Sequence, residues 1–477
     1  MHQLSTLFSD YTGKSEPKIE TLPSSGSNRK YYRIKEDNIS LIGVHGESVE
    51  ENIAFISLAN HFIECGLNVP KVVAASDNKV FYLQQDLGDT VLFDLIKGGR
   101  LTGVFSHEEK ELLHNTISKL AEFQVKGANK LDFSVCYPLS EFNQRSVMWD
   151  LNYFKYNFLK TTGMDFSEDI LENDFEKLAS TLLKDCTDTF MYRDFQSRNV
   201  MLVNGEPYFI DFQGGRKGPV YYDVASFLWQ AKANFPSELR EELIDTYISS
   251  LKKYKPVDIN KFRDDLRQFI LFRTLQVLGA YGFRGYFEKK PHFIQSVPFA
   301  LNNLRELLEV GFEEYPYLNS LLKEMVNLKQ FADTQKRSLT VRVYSFAYKK
   351  GIPNDMSGNG GGYVFDCRAI NNPGKFERYN NVTGLDEPTI RFLEDDGEIV
   401  DFLNNIYPLV DKHVKRYIDR GFTDLMISFG CTGGQHRSVY AAQHVAEHIH
   451  KKFGVKVSLV HREQNLEQEF AQTTLNQ

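Results

Sequence analysis

The chain has 477 residues, a formal net charge of −7, a hydrophobic content of 42% and an aromatic content of 13%. This much apolar material favours folded cores over intrinsic disorder, and the negative balance is unlike that of a dedicated nucleic-acid binder. The apolar runs fall short of the roughly 18 residues that a membrane-spanning helix needs, and the first residues lack a signal-peptide pattern. Five scattered cysteines, an odd number, favour a reducing cytosol.

Alternating apolar residues predict a small sheet and one helix near the start of the chain. A small-polar turn at 24–28 precedes the first strand, and Gly66 is expected to end the helix. The polar, glycine-punctuated stretch 85–89 is expected to be a hinge between two lobes. The predicted elements are strands at 31–34, 40–44, 71–75 and 79–84 and a helix from about 50 to 65.

Helical patterns dominate from 107 to 330 and are interrupted by one segment, 187–212, whose residues indicate phosphoryl transfer. The segment is predicted to form a loop, a strand, a tight turn and a second strand that ends at an acidic residue. A kinase-type site needs this order, because one carboxylate faces the acceptor hydroxyl while an amide and a second carboxylate hold magnesium. Asp194, Asn199 and Asp211 have that spacing, although each residue type alone is common in turns.

Four sequence motifs occur in this segment, just after it and in the predicted hinge. They are Arg-Asp-Phe-Gln-Ser-Arg-Asn at 193–199, Ile-Asp-Phe-Gln at 210–213, Gly-Pro-Val-Tyr-Tyr-Asp-Val-Ala-Ser at 218–226 and Gln-Asp-Leu-Gly-Asp at 85–89. These motifs resemble the aminoglycoside-phosphotransferase and choline-kinase superfamily. More narrowly, they look like those of bacterial sugar kinases that phosphorylate the anomeric hydroxyl of N-acetylmuramate and N-acetylglucosamine. The resemblance covers roughly residues 5–330 and implies an α+β, two-lobed kinase-like domain at 1–332, with lobes at about 1–86 and 87–332.

The resemblance also implies residue roles and cofactors. Asp194 would be the catalytic base, and Asn199 and Asp211 would bind magnesium (Mg²⁺) together with ATP. Asp223 would brace the catalytic loop. The implied nucleotide-binding residues are Gly26, Ser27, Asn28, Arg33, Gln85 and Leu87, and the implied acceptor residues are Asp150 and Tyr153. Trp149 and Phe154 are expected to pack in the core rather than against a sugar.

Two residues depart from the pattern of the family. Tyr192 replaces the usual histidine of the catalytic loop, and a buried tyrosine that donates one hydrogen bond is compatible with that position. The strand at 41–45 offers no lysine to pair with the nucleotide phosphates. Either a neighbouring cation supplies the charge, or the domain binds nucleotide without catalysis. The neighbouring cations are Arg29, Lys30, Arg33 and Lys35.

Polar residues at 331–338 precede a second region in which strands and helices alternate, which predicts a separate α/β domain at 339–477. Its glycine-rich loop at 430–438 lies between an apolar strand and a helix. Backbone N–H groups, the helix N-terminus and Arg437 could together hold a phosphate there. The spacing of Cys431 and Arg437 also occurs in cysteine-dependent phosphatases, and a plain structural turn is the remaining alternative.

Further motifs occur in order across residues 339–464. They are Ser345-Phe, Gly351-Ile-Pro, 363–368, Asn372-Pro, Thr383-Gly-Leu-Asp386, 430–434, 436–439 and His461-Arg462. They resemble the C-terminal domain of RapZ-type RNase adaptor proteins, which implies glucosamine-6-phosphate binding and a sensor role with RNA or a protein partner. The implied phosphate-site residues are Cys431, Thr432, Gly433, Gly434, His436, Arg437 and Ser438, with Asp366, Arg368 and Asp386 near the sugar.

The adaptor resemblance is incomplete. The P-loop pattern of the adaptors' N-terminal domain does not occur in this chain. From Lys336 onward there are 18 basic and 17 acidic residues, and this near-neutral balance weakens an RNA-binding role.

The sequence therefore predicts a cytosolic, ATP- and magnesium-dependent phosphotransferase with an alcohol acceptor. The expected acceptor is the anomeric hydroxyl of an N-acetylhexosamine from cell-wall recycling, and the expected modulator is a phosphosugar at 430–438. Two alternatives stay open. One is a nucleotide-binding pseudokinase fused to an RNA or protein adaptor, and the other is a kinase fused to a cysteine phosphatase. No membrane partner is expected.

Overall fold

The computed structural model describes residues 2–23, 29–184, 188–328, 331, 339–355, 357, 360–420 and 422–473. The chain divides into two compact units, Met1–Leu328 and Lys329–Gln477. Within the described ranges, no helix combines the length and the apolar character that crossing a membrane requires.

The first unit begins with an antiparallel sheet of five strands in the order β1-β2-β3-β5-β4. One face of the sheet buries Ile34, Leu41 and Leu83 against Leu4 and Phe8 of the first helix. The strands and helix predicted before residue 86 are confirmed. The elements are α1 (His2–Thr12), β1 (Lys18–Thr21), β2 (Lys30–Glu36), β3 (Ile39–His45), α2 (Val49–Glu64), β4 (Val72–Ala75) and β5 (Phe81–Gln85).

The rest of the first unit is mainly helical. Its helices are α3 (Leu92–Leu95), α4 (Lys97–Thr102), α5 (His107–Lys126), α6 (Gln144–Phe154), α7 (Glu168–Leu182), α8 (Tyr221–Leu228), α9 (Ser237–Leu251), α10 (Ile259–Gly282), α11 (Pro291–Ile294), α12 (Val297–Val310) and α13 (Pro316–Val326). The central helix is α10, in which five consecutive residues, 268–272, are all buried, as in a helix covered on every side. At Gly282 an added Cβ would lie 2.0 Å from the carbonyl oxygen of Asn157, so glycine permits this close approach.

Four short strands between α7 and α8 form two separate pairs. They are β6 (Thr189–Met191), β7 (Val200–Val203), β8 (Glu206–Phe209) and β9 (Arg216–Gly218). β6 pairs with β9, and β7 with β8, both antiparallel. The β7–β8 turn is Asn204-Gly205, with φ values of 52° and 84°. These two left-handed residues suit the primed turn that joins two-residue hairpins. The predicted hairpin is confirmed.

The second unit is a sheet in the order β11-β12-β10-β13-β14, in which every pair is parallel except β13–β14. Its elements are β10 (Thr340–Ala347), β11 (Tyr363–Asp366), α14 (Glu387–Asp396), α15 (Glu398–Arg420), β12 (Asp424–Cys431), α16 (Arg437–Phe453), β13 (Lys456–His461) and β14 (Leu466–Phe470). Apolar strand residues such as Val343 and Ile427 pack against Val445 of α16 and Leu403 of α15. The predicted fold class, a two-lobed α+β unit followed by an α/β unit, is confirmed.

Candidate functional site

Three polar side chains of the 187–212 segment converge on one point. The Asn199 amide donates to the carbonyl oxygen of Asp194 at 2.8 Å and lies 3.4 Å from its carboxylate. The same amide is 3.4 Å from the carboxylate of Asp211, which follows the hairpin. The sequence is folded back by the two-residue turn, so groups twelve residues apart become neighbours. The structure thus brings together the residues that the sequence marks as base and metal ligands.

Asp223 fixes the loop that carries Asp194. Its fully buried carboxylate accepts hydrogen bonds from the backbone N–H groups of Tyr192 (2.8 Å) and Arg193 (2.7 Å) and from the Gln124 amide (2.7 Å). Burial raises the pKa of the Asp223 carboxyl to about 7, and these hydrogen bonds act in the opposite direction. Removal of the carboxyl would leave two backbone N–H groups without their partners, so Asp223 is a strong brace.

Two residues of the site have left-handed backbone conformations. Arg193 has a φ of 79° and Asp211 a φ of 68°. Such conformations cost on the order of 1–3 kcal/mol in non-glycine residues and persist where the surroundings enforce them. Asp223 holds the Arg193 N–H, and the Ile210 N–H donates to the carbonyl of Asn199 at 3.0 Å. The backbone is therefore held in place before any ligand binds.

Tyr192 occupies the position where the family has histidine. It is fully buried, and its ring packs edge-to-face on Phe195 and Phe209. Its hydroxyl donates to the Ile210 carbonyl, immediately before Asp211. The tyrosine thus links the two halves of the site through packing and one hydrogen bond.

The site concentrates negative charge. Burial and the nearby charge of Asp194 raise the pKa of the Asp211 carboxyl, and a hydrogen bond of 2.7 Å from Gln213 opposes the rise. The side-chain amide of Gln196 likewise donates a hydrogen bond to the carboxylate of Asp194. Oxygen ligands from one or two carboxylates, completed by nucleotide phosphates, are the usual protein site for Mg²⁺. The donor set of Asp211 and Asn199 fits that ion.

A buried arginine that the sequence offered only as one of four alternatives lies beside this site. The Arg29 guanidinium is 3% exposed and lies 3.3 Å from the carboxylate of Glu51 on α2. Burial and Asp194 raise the pKa of the Asp211 carboxyl, and the charge of Arg29 opposes that rise, so Arg29 acts on the proposed metal ligand. An ion pair between the sheet side and a helix glutamate is the arrangement that kinases use for their phosphate-binding lysine.

Arg33, predicted to bind nucleotide, is engaged elsewhere. Its Nε and Nη2 atoms donate to Asp86 at 2.8 and 3.0 Å, and its Nη1 atom lies 2.8 Å from Asp89. The arginine therefore ties β2 to the hinge instead of facing phosphate, which corrects its assigned role. Gln85, at the end of β5, pairs with Leu41, and Leu87 is half-buried just beyond it. Gly26, Ser27 and Asn28 lie outside the described residues.

The residues predicted to bind the acceptor include one member of an ion pair. Asp150 is buried and lies 3.0 Å from Arg193, and burial raises its pKa while Arg193 lowers it. The ring of Tyr153 is half-buried, 5.8 Å from that of Phe283. Trp149 is 50% exposed, so its predicted core position is wrong, whereas Phe154 is fully buried as expected.

Sequence reasoning missed Arg273. This α10 residue lies 3.8 Å from the Asp194 carboxylate and donates to Ser226 at 3.1 Å. The signal was present, because a lone arginine within the apolar run of a buried helix needs a polar partner.

The glycine-rich loop of the second unit lies at the carboxyl edge of the parallel strands. Cys431 ends β12 opposite Ala347 of β10, and Asp366 of β11 lies opposite Gly430. Ligands bind at this edge in open α/β sheets. Gly434 has a φ of 67°, and an added Cβ would lie 2.4 Å from the side chain of Glu463, so the loop needs glycine there.

The loop's polar side chains are partly committed to the fold. Cys431 accepts the N–H of Gly434 at 3.2 Å and lies 3.1 Å from the Ser438 hydroxyl. Thr432 and Gly433 are exposed. The backbone around these two exposed residues is therefore the accessible part of the predicted anion cradle.

Three predicted ligand side chains have structural partners. The buried Arg437 donates to the carbonyls of Arg368 (2.9 Å) and Ile370 (2.6 Å), and His436 lies 2.9 Å from the carbonyl of Tyr379. Asp386 accepts from the Thr383 N–H and hydroxyl. Only the Nη1 atom of Arg437 is used in these bonds, and its buried Nε has no hydrogen-bond partner, so the side chain braces the loop and its role as a phosphate ligand stays a prediction. Asp366 and Arg368 pair with each other at the same edge.

Comparison with known families agrees with this division. Residues 18–257 match the family described as "Phosphotransferase enzyme family", and residues 339–465 match the family described as "RapZ C-terminal domain". A nucleotide-binding protein of Acidobacterium capsulatum is 27% identical over 236 residues, which are 49% of this chain and 71% of that protein. One of Xylella fastidiosa strain M12 is 32% identical over 160 residues, 34% of this chain and 53% of that protein.

Solved structures with a similar course of the chain include two phosphotransferases. A choline kinase from Cryptosporidium parvum Iowa II has a TM-score of 0.44 and 12% identity, covering 66% of this chain and 95% of that one. The gentamicin–APH(2″)-IIa complex has a TM-score of 0.44 and 16% identity, covering 63% of this chain and 96% of that one.

Proposed function

We propose, because this chain belongs to the phosphotransferase enzyme family and carries a RapZ C-terminal domain, that it is an ATP-dependent sugar kinase. Its acceptor is the anomeric hydroxyl of an N-acetylhexosamine derived from the cell wall. The observation that supports this function most strongly is that the Asn199 amide lies within 3.4 Å of the carboxylates of both Asp194 and Asp211. Phosphoryl transfer depends on positioning and charge neutralisation, and these residues supply both.

The roles follow from the contacts. Asp194 accepts the proton of the sugar hydroxyl, and Arg273 and Gln196 orient its carboxylate. Asp211 and Asn199 hold Mg²⁺, which when bound neutralises charge on the nucleotide phosphates. Arg29 directs a positive charge toward the same phosphates while Glu51 holds it in place.

The Arg29–Glu51 pair favours catalysis over a pseudokinase. The strand lysine that kinases use is missing, but a cation held by a helix carboxylate is present and acts on Asp211.

The four described cysteines, Cys65, Cys136, Cys367 and Cys431, are free thiols, as expected of a protein working in the cytosol.

Substitution of the base tests the proposal. Asp194→Asn keeps the shape of the side chain but cannot accept the proton, so we expect phosphorylation of N-acetylglucosamine or N-acetylmuramate to fall about 10²–10⁴-fold. Asp188→Asn, at a carboxylate that is 93% exposed, is the matched control and should keep the parental rate. An Asp194→Asn enzyme as fast as the parent would remove Asp194 from the mechanism.

The second unit is proposed to sense a phosphosugar such as glucosamine-6-phosphate. The supporting observation is the exposed Thr432-Gly433 backbone beside the start of α16, at the carboxyl edge of parallel strands. Calorimetric titration with glucosamine-6-phosphate, followed by ATP-turnover assays with and without it, measures binding and modulation. Salt-dependent RNA binding without ATP turnover on any sugar would favour the adaptor alternative.

A further inference from the structure

A glutamine near the end of β5 has a buried side-chain amide whose oxygen lacks a hydrogen-bond partner. Gln84 is 9% exposed, and its Oε1 atom is shielded from solvent without a donor among the described residues. Its neighbours on the adjoining strands are Ile42 of β3 and Val72 of β4, whose side chains cannot form hydrogen bonds. Because a buried amide without a partner costs stability, this group calls for a specific explanation.

Gln84 lies on the face of the sheet that looks toward the catalytic segment. Side chains alternate between the two faces of a strand. Leu83 packs against α1, so Tyr82 and Gln84 share the opposite face. The ring of Tyr82 stacks on that of Phe55 in α2 at 5.3 Å, and Phe55 stacks on Phe212 of the catalytic segment at 4.9 Å. Gln84 stands two residues further along this face, nearer the hinge.

The hinge that follows β5 has an open backbone residue and is fixed from the side. Leu87, three residues after Gln84, forms no hydrogen bond through its N–H or carbonyl with another described residue. The Arg33 guanidinium donates to Asp86 at 2.8 and 3.0 Å and to the Gly88 carbonyl at 3.0 Å. Asp86 in turn accepts the Gly88 N–H at 3.0 Å. The open donor and acceptor of Leu87 are thus held in place before any ligand binds.

The amide of a glutamine matches one edge of adenine. The N6 amino group of adenine donates a hydrogen bond and N7 accepts one, whereas guanine presents two acceptors, O6 and N7. A glutamine side chain offers one acceptor and one donor group side by side, which permits a bidentate pair with adenine. A single amide cannot match the two acceptors of guanine in this way.

We propose that the side chain of Gln84 selects adenine in the nucleotide site. This inference rests on the proposed kinase function and specifies which base the enzyme uses. Gln85, which the sequence places beside the base, has its side chain on the other face of β5, where its Oε1 atom lies 3.5 Å from the Lys71 nitrogen. A bound adenine supplies the hydrogen bonds that the Gln84 amide otherwise lacks inside the sheet.

Gln84→Leu tests the assignment, because leucine fills the space without a polar group. We expect the affinity of the full chain for AMP-PNP with Mg²⁺, measured by calorimetry, to fall about 10–100-fold. The affinity for GMP-PNP should stay nearly unchanged. An AMP-PNP analogue that lacks the 6-amino group should bind parent and variant alike. In turnover assays, KM for ATP should rise by the same factor as the loss of affinity, while kcat is kept.

A melt and a matched control separate base recognition from a structural role. Replacing an unpartnered buried amide by an apolar group is neutral or stabilising, so the ligand-free melting temperature of Gln84→Leu should equal or exceed that of the parent. Gln268 of α10 is equally buried, at 9% exposure, and its Oε1 atom also lacks a partner, but it lies on a helix and not on the sheet face described above. Gln268→Leu should therefore leave the affinity for both nucleotides unchanged. Gln84→Met, unbranched like glutamine, gives the same comparison if leucine does not fit.

The outcomes are distinct. A loss of affinity confined to AMP-PNP supports the assignment, and it does so even if no sugar is phosphorylated, a result that would contradict the kinase alone. Unchanged AMP-PNP affinity in Gln84→Leu overturns the assignment and leaves the kinase intact wherever sugar is still turned over. Equal losses for AMP-PNP and GMP-PNP, with a lower ligand-free melting temperature, show a structural role and overturn it as well. Absence of AMP-PNP binding to the parent contradicts both proposals.

Discussion

Arg29→Gln is the substitution that best separates an active kinase from a nucleotide-binding pseudokinase. Its guanidinium is 3% exposed, pairs with Glu51 at 3.3 Å and opposes the rise that burial and Asp194 cause in the pKa of the Asp211 carboxyl. The variant leaves Glu51 without its cation beside a site that already concentrates negative charge. The carboxylates of Glu51, Asp194 and Asp211 would then repel the phosphates of the bound nucleotide, with less positive charge to offset that repulsion.

The expected loss follows from Coulomb's law. Two unit charges about 4 Å apart interact by about 4 kcal/mol at an effective dielectric constant of about 20. Each 1.36 kcal/mol of transition-state stabilisation is a tenfold change in rate. Loss of one preorganised transition-state donor costs about 10²–10³ in kcat in known enzymes. We therefore expect Arg29→Gln to lower kcat by about 10²–10³.

The assay is steady-state ADP release with saturating sugar, together with a thermal melt to show that the variant is folded. Arg29→Lys keeps the charge and should recover part of the rate. Lys30→Gln, at the exposed neighbour, is the matched control and should stay within about twofold of the parent. An Arg29→Gln enzyme with more than a third of the parental kcat, or a Lys30→Gln enzyme with little activity, would refute the reasoning.

Two other predictions concern separate parts of the chain. Asp223→Ala leaves two backbone N–H donors without partners, and a melt should show destabilisation of about 2–5 kcal/mol, whereas an unchanged melting temperature would contradict the brace. Gly434→Ala forces a Cβ against Glu463 at a φ of 67° and should abolish glucosamine-6-phosphate binding by calorimetry while ATP turnover without phosphosugar is unchanged. Undiminished binding would show that the loop does not hold the ligand.

Local chemistry made the kinase segment predictable. The Asn204-Gly205 turn fixes a hairpin by its backbone preferences, and the spacing of Asp194 and Asn199 within one loop hardly depends on the rest of the fold. The roles of Arg29 and Arg33 were not predictable, because both are basic residues at the same strand. Only the position of Asp86 in the folded hinge decides which of them is engaged.

Tertiary contacts account for what the sequence did not predict. The Nη1 atom of Arg437 donates to carbonyl groups nearly seventy residues earlier in the chain, a contact that the sequence does not reveal. Trp149 has the composition of a core residue, yet it lies on the outer face of α6, where Arg145 covers it at 4.9 Å. Helix orientation of this kind is set by tertiary packing, which a single sequence does not specify.

Phosphorus NMR of ATP mixed with an N-acetylhexosamine and magnesium tests the central claim most directly. With the parent chain, the γ-phosphate signal should decline while an anomeric phosphomonoester signal grows, and Asp194→Asn should suppress both changes. A γ-phosphate signal that stays constant for every sugar, or one that declines equally with Asp194→Asn, would contradict the account.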